Sequence, residues 1–309
     1  MSKVYDVIVL GAGPAGLAAG LYAGRSRLST LVIEKGKDGG QIAITDDIEN
    51  YPGQIVEGES GPSLIARMTQ QCEKFGVERA SDVINEVHLD GDIKVLKSAK
   101  AEYQSKTVII ATGAFARPIG CKGEKEFMGK GVSYCATCDG AFFRNRTVAV
   151  IGGGDVAVED AIFLSRMCSK VYLIHRRGKL RAAKSLQNQL FSKGNVVILW
   201  NTEAEAIKGD GAVESLLLQD HVTGEKKEIS LQGVFIAVGI QPETAAFEGV
   251  VDMEQGYIKA GEAGITSVPG IYAAGDVRTK KLRQIVTAAA DGANAVTSAE
   301  QYLSDLKRG

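Results

Sequence analysis

Short apolar runs followed by glycine clusters recur along the chain, and they predict strands that lead into helices. Residues 7–10 (VIVL) form such a run, and the glycine-rich stretch 11–16 follows directly. A second run, residues 148–151 (VAVI), starts 141 positions after residue 7 and is followed by the glycines of 152–154. After each cluster, alanine and larger apolar residues recur at helical spacing. The pattern predicts two copies of one strand–turn–helix unit.

A further apolar strand completes each unit. Residues 31–33 and 172–174 are apolar, and the residues that end these strands, Glu34 and His175, are again 141 positions apart. Glycines between a strand and a helix, with a second strand ending about 20 residues later, are the fingerprint of dinucleotide binding. The glycines permit a tight turn against a pyrophosphate, and the helix N-terminus supplies N–H donors. We predict an α/β protein with two Rossmann-like dinucleotide-binding domains.

The other apolar strands predict how the domains are connected. They end in small residues and cover positions 107–113, 234–239 and 270–276. An alanine-rich helix is expected at about 283–302. We predict a first domain in two parts, 1–115 and 243–309, with the second domain, 116–242, inserted between them. The crossings near 114–118 and 240–244 would then lie side by side as a hinge.

Composition narrows the class of partner. The 309 residues include 36 Lys plus Arg and 37 Asp plus Glu, which gives a net charge of −1. This balance argues against nucleic acid or a membrane surface as a partner held by bulk charge. No apolar run approaches the ~20 residues of a membrane span, and the start of the chain lacks the apolar core of a signal peptide. We therefore expect a cytoplasmic protein.

The strand ends predict which nucleotide each domain binds. An acid such as Glu34 hydrogen-bonds ribose hydroxyls, which suits FAD or NAD, whereas arginines accept a 2′-phosphate. His175, Arg176 and Arg177 are followed by Arg181, and three guanidiniums can make forked bonds to one phosphate. This pattern predicts FAD in the first domain and NADPH in the second. The alternative is that the arginines form a solvated basic face.

Among five cysteines, only Cys135 and Cys138 are close in sequence. A C-x-x-C in an α/β chain is typical of a redox motif, in which a lowered thiol pKa favours thiolate attack and exchange through a mixed disulfide. Structural zinc needs four ligands and no second such pair exists, so we predict no metal site. A purely structural bridge is the other alternative. Asp139 is either a turn residue or the proton donor and acceptor of the dithiol.

Several motifs together carry a family resemblance. They are GGQ at 39–41, ENYPG at 49–53, ATG at 111–113, CATCDG at 135–140, HRR at 175–177, GDV at 275–277 and RQ at 283–284. With these motifs the chain resembles the bacterial low-molecular-weight thioredoxin reductases, which are class II pyridine nucleotide-disulfide oxidoreductases. The resemblance covers essentially the whole length.

The resemblance implies a set of cofactor-binding residues. For the FAD pyrophosphate and adenosine ribose they are Gly11, Gly13, Pro14, Ala15, Gly16, Glu34 and Lys35. For the rest of the FAD they are Gly40, Gln41, Asn50, Val83, Ala111, Thr112, Gly113, Gly275, Asp276, Arg283, Gln284 and Ile285. For NADPH they are Gly152, Gly154, Asp155, Val156, Ala157, His175, Arg176, Arg177 and Arg181. Val156 departs from the Ser or Thr of many relatives, which weakens one expected phosphate contact.

The resemblance also implies an activity. Hydride passes from NADPH to FAD, then electrons pass to the Cys135–Cys138 disulfide, and the dithiol reduces thioredoxin, with Asp139 as acid and base. In the family Cys135 attacks the partner, Cys138 lies nearest the flavin, the second domain rotates during turnover, and the enzyme is a homodimer.

Three other hypotheses stay open. The same fold could serve a glutaredoxin-like or peroxiredoxin partner, although peroxiredoxin-linked relatives usually carry a long N-terminal extension. Ferredoxin could replace NADPH as the donor, which the second glycine fingerprint opposes. A non-catalytic redox sensor is the third hypothesis, and steady-state turnover would exclude it.

Overall fold

The computed structural model describes residues 3–45, 48–55 and 57–308. The chain forms two compact units: Met1–Phe115 with Gln241–Gly309 make up the first, and Ala116–Ile240 the second. The second unit is therefore an insertion in the first. The sequence places its end at residue 242, two positions beyond Ile240.

Strands and helices alternate at the start of each unit, and long runs of strands, within residues 78–133 and 196–273, fill much of the rest. The strands are β1 (Val4–Leu10), β2 (Thr30–Glu34), β3 (Glu78–Ser81), β4 (Ile84–His88), β5 (Lys94–Ser98), β6 (Glu102–Ile110), β7 (Ala114–Ala116), β8 (Val132–Ser133), β9 (Thr147–Gly152), β10 (Lys170–His175), β11 (Val196–Trp200), β12 (Thr202–Lys208), β13 (Ser215–Asp220), β14 (Lys226–Ser230), β15 (Gly233–Ala237), β16 (Ile240–Pro242), β17 (Met253–Glu254), β18 (Tyr257–Ile258) and β19 (Ile271–Ala273). The helices are α1 (Pro14–Arg25), α2 (Gly61–Lys74), α3 (Ala136–Asp139), α4 (Asp155–Leu164), α5 (Lys184–Phe191) and α6 (Ile285–Leu306).

The first unit is built on one large sheet with the order β3-β2-β1-β6-β5-β4, in which β19 also pairs with β6. Strands β1, β2, β3, β6 and β19 are parallel, and β4 and β5 are antiparallel additions. Alternate residues of β1 face two different cores. Val7 and Val9 pack with the helices α1, α2 and α6, whereas Ile8 and Leu10 pack on the opposite face. Burial on both faces explains why residues 7–10 of β1 form a continuous apolar run.

The second unit repeats this design. Its sheet has the order β11-β10-β9-β15-β8 and is parallel throughout. Val148 and Val150 pack with α4 in one core, and Ala149 and Ile151 pack in the other core with the antiparallel sheet of β12, β13 and β14. The sequence prediction of an α/β fold with two Rossmann-like units is confirmed. The crossing strands β7 and β16 form a two-stranded sheet.

Within the described part of the chain, no helix combines the length and apolar character that crossing a bilayer requires.

Helices α1 and α6 make a close contact in the first unit, and Gly292 makes it possible. A Cβ on Gly292 would overlap the carbonyl oxygen of Ala15 and come within 2.8 Å of the Ala19 nitrogen. The backbones of the two helices therefore touch at this point, which places the first half of α6 against the first half of α1.

We expect Gly292→Ala to lower the free energy of unfolding by about 1–3 kcal/mol, because overpacking the contact outweighs the gain in helix propensity. Urea unfolding followed by circular dichroism measures the change. Gly261→Ala is the matched control, since a Cβ there meets nothing within 4 Å. Equal midpoints for the two variants would contradict the contact between the two helix backbones.

Candidate functional site

The glycine turn of the first unit contains two glycines whose positions leave no room for a Cβ and one glycine that faces open space. A Cβ on Gly11 would overlap the carbonyl of Ala111, and a Cβ on Gly16 would overlap the carbonyl of Gly11. A Cβ on Gly13 would have one neighbour only, the Gly39 oxygen at 3.9 Å. Gly13 is also the residue before α1, and no side chain caps this helix N-terminus. The open space over Gly13 fits an anionic group.

Glu34 ends β2 beside this turn. Its Oε2 accepts the Ala12 N–H at 2.7 Å and its Oε1 accepts the Gly36 N–H at 3.1 Å, so the carboxylate is held in place. A cavity of about 160 Å³ opens at the same strand ends, where Glu34 and Lys35 line it together with Val83 and Thr112. Ligands of open α/β sheets bind at such strand ends.

Asp276 lies beside the start of α1, because Gly275 packs on Ala15: a Cβ on Gly275 would come within 2.7 Å of the Ala15 Cβ. Asp276 Oδ1 is buried and has no hydrogen-bond partner among the described residues. Burial raises the pKa of this carboxyl, and Lys280 and Arg283 oppose the shift. A buried oxygen without a partner is costly, so it points to a ligand hydroxyl that would donate to it.

Behind Asp276 lies a buried charged cluster that sequence reasoning missed. Asp291 accepts the Gly275 N–H at 2.9 Å, the Arg278 guanidinium at 2.6 and 2.9 Å, and the Lys280 ammonium at 2.8 Å. These bonds and the two cations lower the pKa of Asp291 although burial opposes them. The cluster fixes the Gly275–Asp276 turn. An acid on the apolar face of an alanine-rich helix was the signal available in the sequence.

The other residues implied for FAD fall into small hydrogen-bonded groups. Gln41 donates to the Ala114 carbonyl, and Thr112 donates to the Glu243 carbonyl at 2.6 Å. Asn50 donates to Gln284 at 3.1 Å across 234 positions of sequence, and Arg283 stacks on the Tyr257 ring. Val83 is half exposed beside the cavity and Ile285 is buried at the start of α6.

The glycine turn of the second unit repeats the pattern of the first. A Cβ on Gly152 would overlap the Ala237 carbonyl, and a Cβ on Gly153 would overlap the His175 ring. Gly154 has nothing within 4 Å and precedes α4, which no side chain caps at this residue. Gly154 is the counterpart of Gly13, 141 positions later. In each unit, the glycine before the helix is the one open to a ligand.

The basic cluster, defined as His175, Arg176, Arg177 and Arg181, contains one buried residue and three exposed ones. Arg176, Arg177 and Arg181 are exposed, whereas His175 is 5% exposed and its Nε2 contacts the Lys179 carbonyl at 3.1 Å. Burial and the nearby Arg181 and Arg177 lower the pKa of His175, so the ring is neutral at physiological pH. The arginines are free to meet a phosphate, and the histidine packs under them.

Cys135 and Cys138 form a disulfide with their Cα atoms 5.3 Å apart. Cys135 precedes the short helix α3, and its carbonyl accepts the N–H groups of Cys138 at 3.3 Å and Asp139 at 3.1 Å. Before the motif, Tyr134 donates to Glu124 at 2.7 Å, and Glu124 also accepts the N–H groups of residues 119 and 120. A tight turn with anchored flanks holds the two sulfurs within bonding reach.

Two dinucleotide-type glycine turns and a C-x-x-C disulfide define a nucleotide-dependent disulfide oxidoreductase. The chain belongs to the pyridine nucleotide-disulphide oxidoreductase family, whose model matches residues 5–292. It is 50% identical to the thioredoxin reductase of Peptoclostridium litorale, with 99% of each chain covered. It is 49% identical to the thioredoxin reductase of Bacillus subtilis (strain 168), over 99% of this chain and 96% of that one.

Solved structures agree with these relatives. The crystal structure of thioredoxin reductase from Streptococcus pyogenes MGAS5005 matches with a TM-score of 0.94 at 44% identity, over 99% of this chain and 100% of that one. The fold and the full-length similarity confirm the family resemblance seen in the motifs.

Proposed function

We propose that this chain is an NADPH-dependent thioredoxin reductase that uses FAD. The observation that carries the proposal is the Cys135–Cys138 disulfide in the same unit as the second glycine turn and its arginines. Full-length relatives at about half identity that are named thioredoxin reductases support it. As in the family resemblance, we propose a homodimer.

The residues of the first unit fit FAD. Space over Gly13 would take the pyrophosphate at the N-terminus of α1, and the held carboxylate of Glu34 would accept ribose hydroxyls. The unpartnered Asp276 Oδ1 would accept a hydroxyl of the chain that leads to the flavin ring. The chemistry that a bound flavin supplies is two-electron transfer from a nicotinamide to a disulfide.

In the second unit, Gly154 and α4 would take the NADPH pyrophosphate, and Arg176, Arg177 and Arg181 would take its 2′-phosphate. Cys135, once reduced, would attack the thioredoxin disulfide as a thiolate, forming a mixed disulfide and releasing one thioredoxin thiolate. The Cys138 thiolate would then attack Cys135 Sγ, which releases the second thiolate and restores the Cys135–Cys138 bond. Asp139, at the end of α3, would deliver protons to the released thiolates. Motion about β7 and β16 would let the disulfide reach a partner protein.

The proposal is tested by following NADPH oxidation by the purified protein with thioredoxin and a disulfide dye, beside NADH. We expect thioredoxin-dependent turnover that prefers NADPH. Flavin reduction by NADPH without thioredoxin turnover would redirect the search to a glutaredoxin-like or peroxiredoxin acceptor. If the flavin stays oxidised in the presence of NADPH, NADPH is not the electron donor, and ferredoxin is the next donor to test.

A further inference from the structure

We propose that Asp155 determines the preference for NADPH over NADH by positioning the arginines, and that its carboxylate is not a nucleotide ligand. The segment involved is the arginine loop, defined as residues 176–183 between β10 and α5. The inference rests on the proposed function, in which NADPH is the donor.

Two hydrogen bonds fasten the end of the arginine loop to the glycine turn. Asp155 Oδ1 accepts the Ala183 N–H at 2.7 Å. The Arg181 N–H donates to the Gly153 carbonyl at 2.8 Å. The two bonds join residues 153 and 155 of the glycine turn to residues 181 and 183 of the arginine loop. They hold the two segments together on either side of Gly154 and Ala182, and we call this pair of bonds the Asp155 clip. A carboxylate that accepts a backbone N–H makes the stronger, charge-assisted type of bond.

His175 supports the start of the same loop. Its ring packs against Gly153, where a Cβ would overlap it, and its Nε2 contacts the Lys179 carbonyl. The loop is thus tied at both ends to the turn that faces the ligand space over Gly154. The guanidiniums of Arg176, Arg177 and Arg181 are exposed, and no fixed partner of their own holds them among the described contacts. Their average position therefore depends on the backbone that carries them.

The side chains at the start of α4 are poorly suited to bind a phosphate, which indicates that the arginine loop recognises the 2′-phosphate. Val156 is 52% exposed and has no hydrogen-bonding group to offer a phosphate. Asp155 is an anion, which would repel a phosphate in direct contact, and its Oδ1 is already directed at Ala183. Discrimination between NADPH and NADH then falls on the arginines, and the Asp155 clip keeps them within reach of a 2′-phosphate.

We expect Asp155→Ala to lower kcat/KM for NADPH at least tenfold, almost entirely through KM, and to change kcat/KM for NADH less than twofold. Asp155→Asn should restore the preference, because its amide oxygen can accept the Ala183 N–H. Ala183→Pro should reproduce the loss with the carboxylate intact, since the φ of −56° at Ala183 suits proline and proline has no N–H. Glu159→Ala, exposed on the same helix, is the matched control.

A binding measurement separates positioning from a general defect. Isothermal titration of the oxidised FAD-loaded protein with 2′,5′-ADP and with 5′-AMP should show weaker binding of 2′,5′-ADP alone in Asp155→Ala. An Asp155→Ala protein that keeps the wild-type preference would overturn the inference, as would equal losses in Asp155→Ala and Asp155→Asn. If the wild-type protein itself prefers neither NADPH nor NADH, the proposed function is wrong about the donor. This result is distinct from a failure of the Asp155 inference, because it is seen without any substitution.

Discussion

Cys138→Ser is expected to lower thioredoxin reduction by at least about 1000-fold, as loss of a covalent catalytic group does. Exchange needs two sulfurs, one to attack the partner and one to resolve the mixed disulfide, and the structure brings only Cys135 and Cys138 within bonding reach among its described cysteines. Cys135→Ser should have the same effect. The measurement is thioredoxin-dependent NADPH oxidation under steady-state conditions.

The cofactor sites should remain intact in both cysteine variants, so NADPH should still bleach the flavin absorbance in a stopped-flow experiment. Cys121→Ser is the matched control, because Cys121 lies outside the pair and burial raises its thiol pKa to about 11, which leaves it unreactive. Thioredoxin turnover close to wild type in Cys138→Ser would exclude the C-x-x-C as the redox centre.

Replacing the open glycine of each unit should remove one nucleotide at a time. We expect Gly13→Ala to weaken FAD binding by roughly 100-fold, since a methyl group there occupies the ligand space and costs about 2–3 kcal/mol. Gly154→Ala should keep FAD and weaken NADPH by a similar factor. Neither change meets a protein atom closer than 3.9 Å, so both proteins should fold. The flavin absorbance after purification and the KM for NADPH report the two effects.

Gly16→Ala is the contrasting variant, because its Cβ would overlap the Gly11 carbonyl. This protein should lose stability whether or not FAD is present, which circular dichroism would detect. A Gly13→Ala protein that purifies with a full complement of flavin would show that the pyrophosphate does not lie over Gly13.

Much of the fold follows from local pattern. The apolar run at 7–10 belongs to β1, and the run at 148–151 belongs to β9, because strands buried on both faces tolerate few polar residues. Helix ends were harder to place: the alanine-rich helix begins at Ile285 and continues to Leu306, beyond the predicted 302. The glycine fingerprints also located the tight turns before α1 and α4, because such turns need glycine wherever they occur.

By itself, the sequence determined the two βαβ repeats, their 141-residue offset, the disulfide motif and the arginines, since each depends on residues close together in the chain. Only the tertiary structure decided which glycine of each turn has open space beside it, because the residues that crowd Gly11, Gly152 and Gly153, chiefly 111, 237 and 175, are brought to the turns by the fold. The tertiary structure also decided the burial of His175, the Asp155 clip and the Asp291 cluster. Burial and hydrogen-bond partners depend on which segments the fold brings together, and spacing along one chain does not encode that.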